Sequence, residues 1–457
     1  MTGSIAHDAP STALRVLAGP PPGAGPERHV DHLARLGALP SARDLRDVIP
    51  VLEASGLLGR GGAAFPVGRK WRAVAERSAG DAVVVVNGAE GEPRSAKDRA
   101  LMEHRPHLVL DGALAAASAV GAREIVLYVG SEHVAAQRAL AQAVGERERE
   151  IGVHVRLVTP PVSYVAGEAT AAIHCIDRGD ARPTFPDVRP HERGVGGRPT
   201  LVQNAESLAH AALIARFGDA WYRTAGRGPT RGTALVTVTG LGGRMAVREI
   251  EYGTTVAEVA GLVGAALAGT SVRGARSRGA NPGGSVRARA GLAPGLGAVP
   301  RAGEDRGPGA VLLGGYFGGW AALDDVRDAP LDPAVLREHD LAFGCGVLSF
   351  AGAGTCGVRA TAEIMGYMAA ESAAQCGPCV FGLAAIAEAL RRLAQGTAGD
   401  GELDRIEHWA GLVEGRGACH HPDGAIGLLR TALPVFEAEF ARHQARQGCS
   451  ALPVKAA

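Results

Sequence analysis

The chain has 457 residues, 46% of them hydrophobic and 21% charged, which is enough for two to four globular domains. Its 48 basic and 47 acidic residues leave a formal charge of +1, which argues against a nucleic-acid or anionic-membrane surface as the main partner, because such surfaces need clustered Lys and Arg. The N-terminus lacks a basic region followed by an apolar run, and no window approaches ~18 uninterrupted apolar residues. We therefore expect a soluble, cytoplasmic protein that does not insert into a membrane.

The first half of the chain alternates helices with short strands. After a lead-in over residues 1–44, the predicted elements are helix 45–56, strand 81–87, a polar turn that lasts until Pro106, helix 106–120, strand 124–129, helix 131–145, strand 153–158, a loop over 180–200 and helix 201–222. Such alternation is typical of a parallel sheet with right-handed crossovers. The overall class is thus α/β, and residues 45–230 are predicted to form a Rossmann-like domain.

The second half changes character twice. Strands at 234–240 and 248–252, a helix at 255–263 and an apolar run from Ala310 suit a small β-grasp (ubiquitin-like, SLBB-like) domain over residues 231–325. Its insert at 268–307 is rich in Arg, Gly, Ala and Ser, a composition typical of disorder. Residues 326–457 are predicted to be helical, with four short helices forming a bundle and Pro434 kinking the fourth.

Six of the seven cysteines lie between residues 345 and 449. Cys376-Gly-Pro-Cys379 falls between the first and second predicted bundle helices, and Cys419 falls between the third and fourth. Junctions at one end of an antiparallel bundle are neighbours, so these thiols are expected to converge as ligands of zinc or an iron–sulfur cluster. A redox dithiol or a pair of buried thiols is the alternative, although the motif lies among helices rather than after a strand.

Four further motifs lie in the α/β domain. They are Gly59-Arg60-Gly61-Gly62-Ala63-Ala64-Phe65-Pro66 followed by Lys70-Trp71, Asn87-Gly88-Ala89-Glu90-Gly91-Glu92-Pro93 followed by Lys97-Asp98-Arg99, Tyr164-Val165-Ala166-Gly167-Glu168-Ala169-Thr170, and Gly197-Arg198-Pro199-Thr200-Leu201-Val202-Gln203-Asn204-Ala205-Glu206. A single glycine-rich loop is more often a structural turn than a site. Several motifs in one order are far more specific.

These motifs resemble those of the NADH-oxidising flavoprotein subunit of respiratory complex I, which is the F subunit of NADH-quinone oxidoreductase. They also resemble those of related NAD-dependent hydrogenases and formate dehydrogenases. The resemblance includes the cluster motif, which here is Glu371-Ser372-Ala373-Ala374-Gln375-Cys376-Gly377-Pro378-Cys379 with Cys419. The resemblance runs from about residue 45 to residue 445. It implies FMN, an iron–sulfur cluster (4Fe–4S) and NADH as substrate. It also implies a hetero-complex with a ferredoxin-like or membrane redox subunit, through which a cytoplasmic protein would reach the inner face of the membrane.

The resemblance also implies which residues hold the cofactors. The FMN and NADH site would comprise Gly59, Arg60, Gly61, Gly62, Ala63, Phe65, Lys70, Asn87, Glu90, Glu92, Tyr164, Gly167, Glu168, Gln203 and Asn204, with Glu92 and Glu168 as catalytic carboxylates. Glycines let backbone N–H groups approach a phosphate or a flavin ring closely. Lys70 can neutralise phosphate charge, and Asn87 and Asn204 can hydrogen-bond the flavin.

The cluster motif departs from the family pattern at one ligand. The first cysteine of Cys-x-x-Cys-x-x-Cys is Ala373 here, which leaves Cys376, Cys379 and Cys419. By hypothesis Cys449, which follows the last helix, supplies the fourth thiolate, and Cys356 is a weaker alternative. His420 and His421 are expected at the surface. A three-iron cluster, or a four-iron cluster with an open position, remains an alternative.

The nucleotide pocket departs from the pattern as well. Ala169 replaces the second glutamate of the family's Gly-Glu-Glu, Ala89 replaces an aspartate, and Ala73 stands near a usual aromatic position, with Phe65 and Phe185 retained as stacking candidates. The leading prediction is an NADH dehydrogenase of the diaphorase type. The runner-up is a flavin and iron–sulfur relay that takes electrons from a ferredoxin or flavoprotein. A third class, a subunit with decayed cofactor sites, is disfavoured by the intact glycine-rich loop.

Overall fold

The computed structural model describes residues 15–185, 188–239, 245–262, 309–352 and 354–447. The whole predicted insert at 268–307, residues 1–14 of the lead-in and Cys449 lie outside these residues. The first part of the chain contains α1 (His29–Leu36), α2 (Val48–Ser55), α3 (Val67–Ala75), β1 (Ala82–Gly88), α4 (Lys97–His104), α5 (Pro106–Val120), β2 (Ala122–Val129), α6 (Val134–Glu146), β3 (His154–Val158), α7 (Ala169–Arg178), β4 (Thr200–Asn204) and α8 (Ala205–Tyr222).

These elements form a parallel four-stranded sheet in the order β3-β2-β1-β4. The predicted Rossmann-like α/β fold is confirmed. Strands β2 and β3 lie on one side of β1, and β4 lies on the other side. The strand order therefore reverses between β1 and β4. In open α/β sheets, ligands bind at the carboxyl ends of the strands at such a reversal.

Two local predictions in this part were wrong. Residues 201–204, predicted as helix, pair with β1 as strand β4, and the helix begins only at Ala205. Residues 97–104, predicted as part of a polar turn, form helix α4.

The second part is a five-stranded mixed sheet with three short helices. It contains β5 (Thr233–Thr239), β6 (Met245–Glu251), α9 (Val256–Leu262), β7 (Ala310–Leu313), β8 (Gly319–Ala322), α10 (Leu323–Val326), α11 (Pro333–Glu338) and β9 (Val347–Ala351). The order β6-β5-β9-β7-β8, with β5 parallel to β9 and the other pairs antiparallel, is that of a β-grasp fold. The predicted boundary at residue 325 was wrong, because it assigned β9 to the helical part although β9 pairs with β5 and β7.

The last part is the helical bundle. Its helices are α12 (Gly357–Ala370), a π-helical turn (Pro378–Leu383), α13 (Ala384–Gln395), α14 (Glu402–Val413), α15 (His421–Val435) and α16 (Glu437–Gln444). The predicted fourth helix is divided after Pro434 into α15 and α16, because proline removes a helical hydrogen bond. No helix among the described residues is long and apolar enough to cross a membrane.

The first described residues join the α/β part to the β-grasp part. The carboxylate of Glu249, on β6, accepts hydrogen bonds from the backbone N–H groups of Arg15 (2.9 Å), Val16 (3.1 Å) and Leu17 (3.0 Å). The Arg15 guanidinium donates to the carbonyl of Tyr222 at the end of α8 (2.7 Å) and lies 4.2 Å from the ring centroid of Trp221. This N-terminal segment therefore holds β6 against α8.

Candidate functional site

A cleft of about 440 Å³ opens at the carboxyl ends of β1 and β4, where the strand order reverses. Asn87 and Asn204 are register partners at this edge, and both line the cleft. The walls come from all three parts of the chain. The α/β part contributes Arg60, Gly61, Gly62, Ala63, Glu90, Glu92, Asp98, Tyr164, Gly167 and Glu168. The β-grasp part contributes Gly314, Phe317, Gly344 and Cys345, and the bundle contributes Cys419, His420 and His421. Of the predicted FMN and NADH residues, Gly59, Phe65, Lys70 and Gln203 lie outside its walls, as do the predicted cluster ligands Cys376 and Cys379.

The glycine-rich loop connects α2 to α3 and forms one side of the cleft. The N–H of Gly59 donates to the carbonyl of Phe65 (2.9 Å), which closes the loop. Gly62 has φ +106°, a conformation that favours glycine. A Cβ at Gly61 would lie 3.6 Å from the Cβ of Asn204, so the loop backbone runs close to the start of α8.

The side chain of Arg60 points away from the cleft and into the interior. It is 3% exposed and donates to the hydroxyl of Tyr222 (3.1 Å) and the carbonyl of Thr233 (2.7 Å). Its guanidinium also lies 4.7 Å from the ring centroid of Tyr252 and 3.5 Å from the carboxylate of Glu206. Arg60 therefore anchors the glycine-rich loop to the β-grasp part.

The acidic loop after β1 uses its carboxylates to fix neighbouring segments. Glu90 has φ +39° and accepts from the Ser95 hydroxyl (2.6 Å) and from the N–H groups of Asp98 and Arg99 (both 3.0 Å), which begin α4. A non-glycine residue in this conformation is strained, and such strain is concentrated at functional sites.

Glu92 lies where the three parts of the chain meet. Its carboxylate accepts from the N–H groups of Arg94 (3.1 Å) and Tyr316 (2.7 Å) and from the hydroxyl of Tyr164 (3.0 Å). Burial raises the pKa of Glu92 above its usual range, against these hydrogen bonds. The predicted catalytic carboxylate is therefore also a fixed structural acceptor.

A chain of buried polar groups supports Asn204. Its Nδ2 donates to Asp98 (2.7 Å), and its Oδ1 accepts from the N–H of Glu206 (3.0 Å) at the start of α8. The Lys97 ammonium lies 2.9 Å from both the Asp98 and the Glu206 carboxylates. Burial raises the pKa of Asp98 to about 6, although Lys97 opposes this. Asp98 was not among the predicted site residues, although it stands in the quoted Lys97-Asp98-Arg99 run.

Asn87 and Glu168 hold the opposite wall together. The Asn87 amide donates to the carbonyl of Gly167 (2.8 Å). One carboxylate oxygen of Glu168 accepts from the N–H groups of Thr170 (2.8 Å) and Ala171 (3.0 Å), so Glu168 caps α7. Ala169, the position of the missing glutamate, is the first residue of that helix.

The predicted residues outside the cleft have definite surroundings. The Lys70 ammonium donates to the carbonyl of Val202 on β4 (2.6 Å), and burial lowers the pKa of Lys70 to about 8, against the nearby charge of Glu168. The side-chain oxygen of Gln203 is buried without a partner among the described residues. Phe65, at 51% exposure, is open to solvent as a stacking surface would be.

An aromatic cluster lies where the cleft meets the bundle. The ring of Tyr164 lies 4.9 Å from that of Phe317, 6.4 Å from that of Tyr316 and 5.8 Å from that of His421, measured between centroids. Tyr316 and Phe317 were not predicted. The only sequence signal was their place in Gly-Gly-Tyr-Phe-Gly-Gly directly after β7.

The three predicted cluster thiols influence one another electrostatically. Burial raises the pKa of Cys379 to about 11, a hydrogen bond with Ser372 opposes this rise, and Cys376 and Cys419 add to it. Burial likewise raises the pKa of Cys419, and Cys376 adds to this shift. These mutual effects place the three sulfurs in one neighbourhood, where on deprotonation they could bind the irons of an iron–sulfur cluster.

Within the described residues, no three His, Cys, Asp or Glu side chains are arranged around a single metal ion. A four-iron cluster does not require that arrangement, because each thiolate bonds a different iron.

The alternative ligands do not lie with these thiols. Cys356 precedes α12, whose 14 residues span about 21 Å, and its sulfur contacts His443 (3.4 Å) at the end of the bundle far from Cys376. The weaker alternative, Cys356, was therefore wrong. The surface prediction holds for His420, whose side chain is 96% exposed, but it was wrong for His421, which is 2% exposed.

Comparisons with known proteins agree with this architecture. Residues 52–212 match the family described as the Nuo51 FMN-binding domain, and residues 359–443 match the NADH-ubiquinone oxidoreductase-F iron-sulfur binding region. The second NADH-quinone oxidoreductase F subunit of Rhizobium meliloti (strain 1021) is 28% identical over 429 residues, covering 88% of this chain and 90% of the relative. The corresponding F subunit of Rhodobacter capsulatus is 29% identical over 421 residues, with coverage of 88% and 90%.

Among solved structures, an NAD+-reducing NiFe hydrogenase in the air-oxidized state has the same fold, with a TM-score of 0.72 at 24% identity. The match covers 89% of this chain but 64% of the hydrogenase chain, so this chain spans less than two thirds of that protein.

Proposed function

Because the chain belongs to the family of NADH-quinone oxidoreductase F subunits, we propose that it is an electron-transfer flavoprotein that passes electrons from NADH through FMN and an iron–sulfur cluster to a redox partner. One observation carries this proposal. A single cleft at the strand reversal is walled both by the glycine-rich loop and by Cys419 of the thiol group. The flavin site and the cluster site are thus neighbours.

The cleft suits FMN in size and in lining. Ligand pockets commonly measure roughly 300–1,000 Å³, and this cleft is about 440 Å³. The backbone of Gly61 and Gly62 allows close approach of a ring or a phosphate. Helices α4, α7 and α8 all begin at its rim, and the positive ends of their dipoles favour an anionic cofactor. When bound, FMN accepts a hydride from NADH and releases electrons singly, which the cluster carries onward.

The chain's own residues position and enclose that chemistry. Asn87 and Asn204 are held in fixed orientations by Gly167 and Asp98, so their amides are ordered at the edge of the sheet before a ligand arrives. Tyr164, fixed by its hydrogen bond to Glu92, closes the wall toward the bundle and excludes water there. Cys376, Cys379 and Cys419 would hold the cluster beside this wall, with Cys419 lining the cleft.

The bundle also presents a surface for an electron acceptor. Val380 and Phe381, directly after Cys379, are 41% and 74% exposed. We assign this apolar surface to a ferredoxin-like protein or a redox subunit of a membrane complex. The relatives are named as subunits, which supports a hetero-complex.

A relay that does not oxidise NADH is the second candidate, because the nucleotide side of the cleft has lost acidic groups. Ala89 and Ala169 stand where the family pattern has carboxylates, and the remaining Glu90 and Glu168 are occupied in capping helices. These losses reduce the polar contacts available to NADH but leave the flavin wall intact.

The test is an anaerobic titration of the cluster-reconstituted protein with NADH, with FMN and iron measured on the same sample. Bleaching of the flavin absorbance at stoichiometric NADH is the expected result. A coloured protein that ignores NADH but accepts electrons from reduced ferredoxin would identify the relay instead. A colourless protein that binds neither cofactor would contradict both.

A further inference from the structure

A four-iron cluster held only by Cys376, Cys379 and Cys419 would have one iron without a protein ligand, because Ala373 stands at the position of the fourth cysteine. Two other side chains in the described residues are poorly placed to replace it. Cys356 lies at the start of α12, a helix about 21 Å long whose other end leads to Cys376. The Ser372 hydroxyl already accepts from the N–H of Ala374 (3.0 Å) and hydrogen-bonds Cys379.

The described end of the chain also lies away from the thiols. Arg446 donates to the carbonyl of Ala398 (2.7 Å), and His443 contacts the carbonyl of Leu393 (2.9 Å), both beyond the middle of α13. The thiol of Cys379 precedes the first turn of that helix. The last described residues therefore lie toward the end of the bundle that is opposite the thiols.

His421 has the features of a ligand. It is the first residue of α15, two residues after Cys419, and lines the same cleft. Its backbone N–H hydrogen-bonds the Cys419 sulfur. Nδ1 is the ring nitrogen nearer to this backbone N–H.

The hydrogen bonds of the His421 ring fix its tautomer. Nε2 lies 2.7 Å from the carbonyl oxygen of Met368, and since a carbonyl can only accept, Nε2 carries the hydrogen. The lone pair of the neutral ring is then on Nδ1, which is buried and has no hydrogen-bond partner among the described residues. Histidines that bind metals almost always donate their other ring N–H in this way.

We propose that His421 is the fourth ligand of the cluster, through Nδ1. The inference rests on the proposed function, since it requires the cluster to be present. The lone pair bonds iron directly and no proton is released, because Nδ1 carries none. A neutral imidazole in place of a thiolate leaves the cluster with one negative charge fewer, which raises its reduction potential.

The test uses the full chain, labelled with ¹⁵N-histidine, reconstituted anaerobically with iron and sulfide and then reduced. Pulsed EPR of this sample should show the hyperfine coupling of a directly bound nitrogen. In His421→Ala the coupling should disappear and the iron content should fall from about four to about three per chain. His420→Ala, which changes the adjacent exposed histidine, should keep both.

His421→Cys separates ligation from a structural role. This variant should retain about four irons, lose the nitrogen coupling and have a lower reduction potential than the parent chain. Four irons without nitrogen coupling in the parent chain would overturn the assignment, and so would a Cys449→Ser variant that loses the fourth iron while His421→Ala keeps it. A parent chain that binds no iron would contradict the proposed function itself.

Discussion

The polar side chains around the cleft orient backbone as well as facing a ligand. Asn204 and Glu168 accept hydrogen bonds from the first N–H groups of α8 and α7, and Glu90 does the same for α4. Replacing any of the three would therefore alter both a helix end and the cleft wall. Loss of cofactor in such variants cannot be attributed to a lost contact alone, so helix stability has to be measured alongside FMN binding.

Lys70 gives a prediction that depends on pH. A phosphate near this ammonium would raise its pKa from about 8, so FMN binding would be coupled to proton uptake once the free side chain begins to deprotonate. We expect FMN affinity to fall about tenfold between pH 7 and pH 9. Lys70→Gln should bind FMN more weakly at pH 7, with little further loss up to pH 9.

Lys70→Arg is the matched control, because guanidinium stays protonated over this range. It should retain affinity at pH 9. Fluorescence titration with FMN checks the three proteins, and equal pH dependence in Lys70→Gln and the parent would contradict a phosphate contact.

At the scale of residues, the sequence predicted most of the residues that line the cleft, but it did not predict which groups each side chain contacts. Arg60 was predicted to contact the cofactor, yet it is buried under the loop between Tyr222 and Thr233. Those partners are more than 150 positions away, and a motif gives no information on such contacts. Asp98 and Phe317 were missed for the same reason.

At the scale of elements, helices α5 and α8 cross at a glycine. A Cβ on Gly112 would lie 2.1 Å from the carbonyl oxygen of Leu208, so the helices touch through backbone. Gly112→Ala should force them apart and lower the free energy of unfolding by roughly 1–3 kcal/mol.

Gly145→Ala, inside α6, is the control, because a Cβ there has nothing within 4 Å. Alanine should leave stability unchanged or raise it by about 0.5–1 kcal/mol through better helix propensity. Denaturant unfolding of both variants compares them, and similar free energies would contradict close backbone contact at Gly112.

The packing of α1 on α5 makes stability depend on pH. His107 on α5 is 1% exposed and lies beside His29, His32, Glu146 and Arg147. Burial lowers the pKa of His107 to about 4, with help from the two histidines and Arg147 and against Glu146.

Because the unfolded chain takes up a proton near pH 6.5 and the folded chain only near pH 4, the free energy of unfolding should fall as pH decreases across that window. The loss should reach about 3 kcal/mol. His107→Gln should reduce this slope, as thermal unfolding between pH 7 and pH 4 would show. Equal slopes in the two proteins would mean that His107 is protonated in the folded state.

Elements with strong periodicity were predicted well, and elements fixed by distant contacts were not. Helix Pro106–Val120 has the predicted bounds, because Pro106 begins it and Gly121, at φ +66°, ends it. Strand β4 was read as helix because its last residue, Asn204, caps α8 with no turn between the two elements. Its identity as a strand comes from pairing with β1.

At the scale of the whole molecule, Glu249 joins the N-terminal segment to the β-grasp sheet. Its carboxylate accepts three backbone N–H groups and the hydroxyl of Thr233 (2.6 Å). Glu249→Ala would leave these donors unpaired and should cost about 2–4 kcal/mol of unfolding free energy. Glu76→Ala, at a side chain 61% exposed, should change stability by less than about 0.5 kcal/mol. Equal unfolding transitions for the two variants would contradict this linkage.

The three-part architecture could be predicted from the chain, but the closing strand could not. β9 completes the β-grasp sheet by pairing with β5, more than 100 residues earlier, and two helices separate it from β8. Local sequence patterns do not indicate pairing between strands so far apart in the chain. The same limit applies to the cleft, whose motifs were identified one by one while their convergence depends on how the three parts pack.

That convergence has a consequence for biosynthesis. One wall of the cleft is formed by Cys419, His420 and His421, more than 200 residues after the last strand of the parallel sheet. A nascent chain that has already folded its parallel sheet still has an open cleft, so flavin retention must await synthesis of the bundle through the start of α15. Ribosome-stalled chains that end before residue 419 should therefore fold their first part and yet fail to retain the flavin.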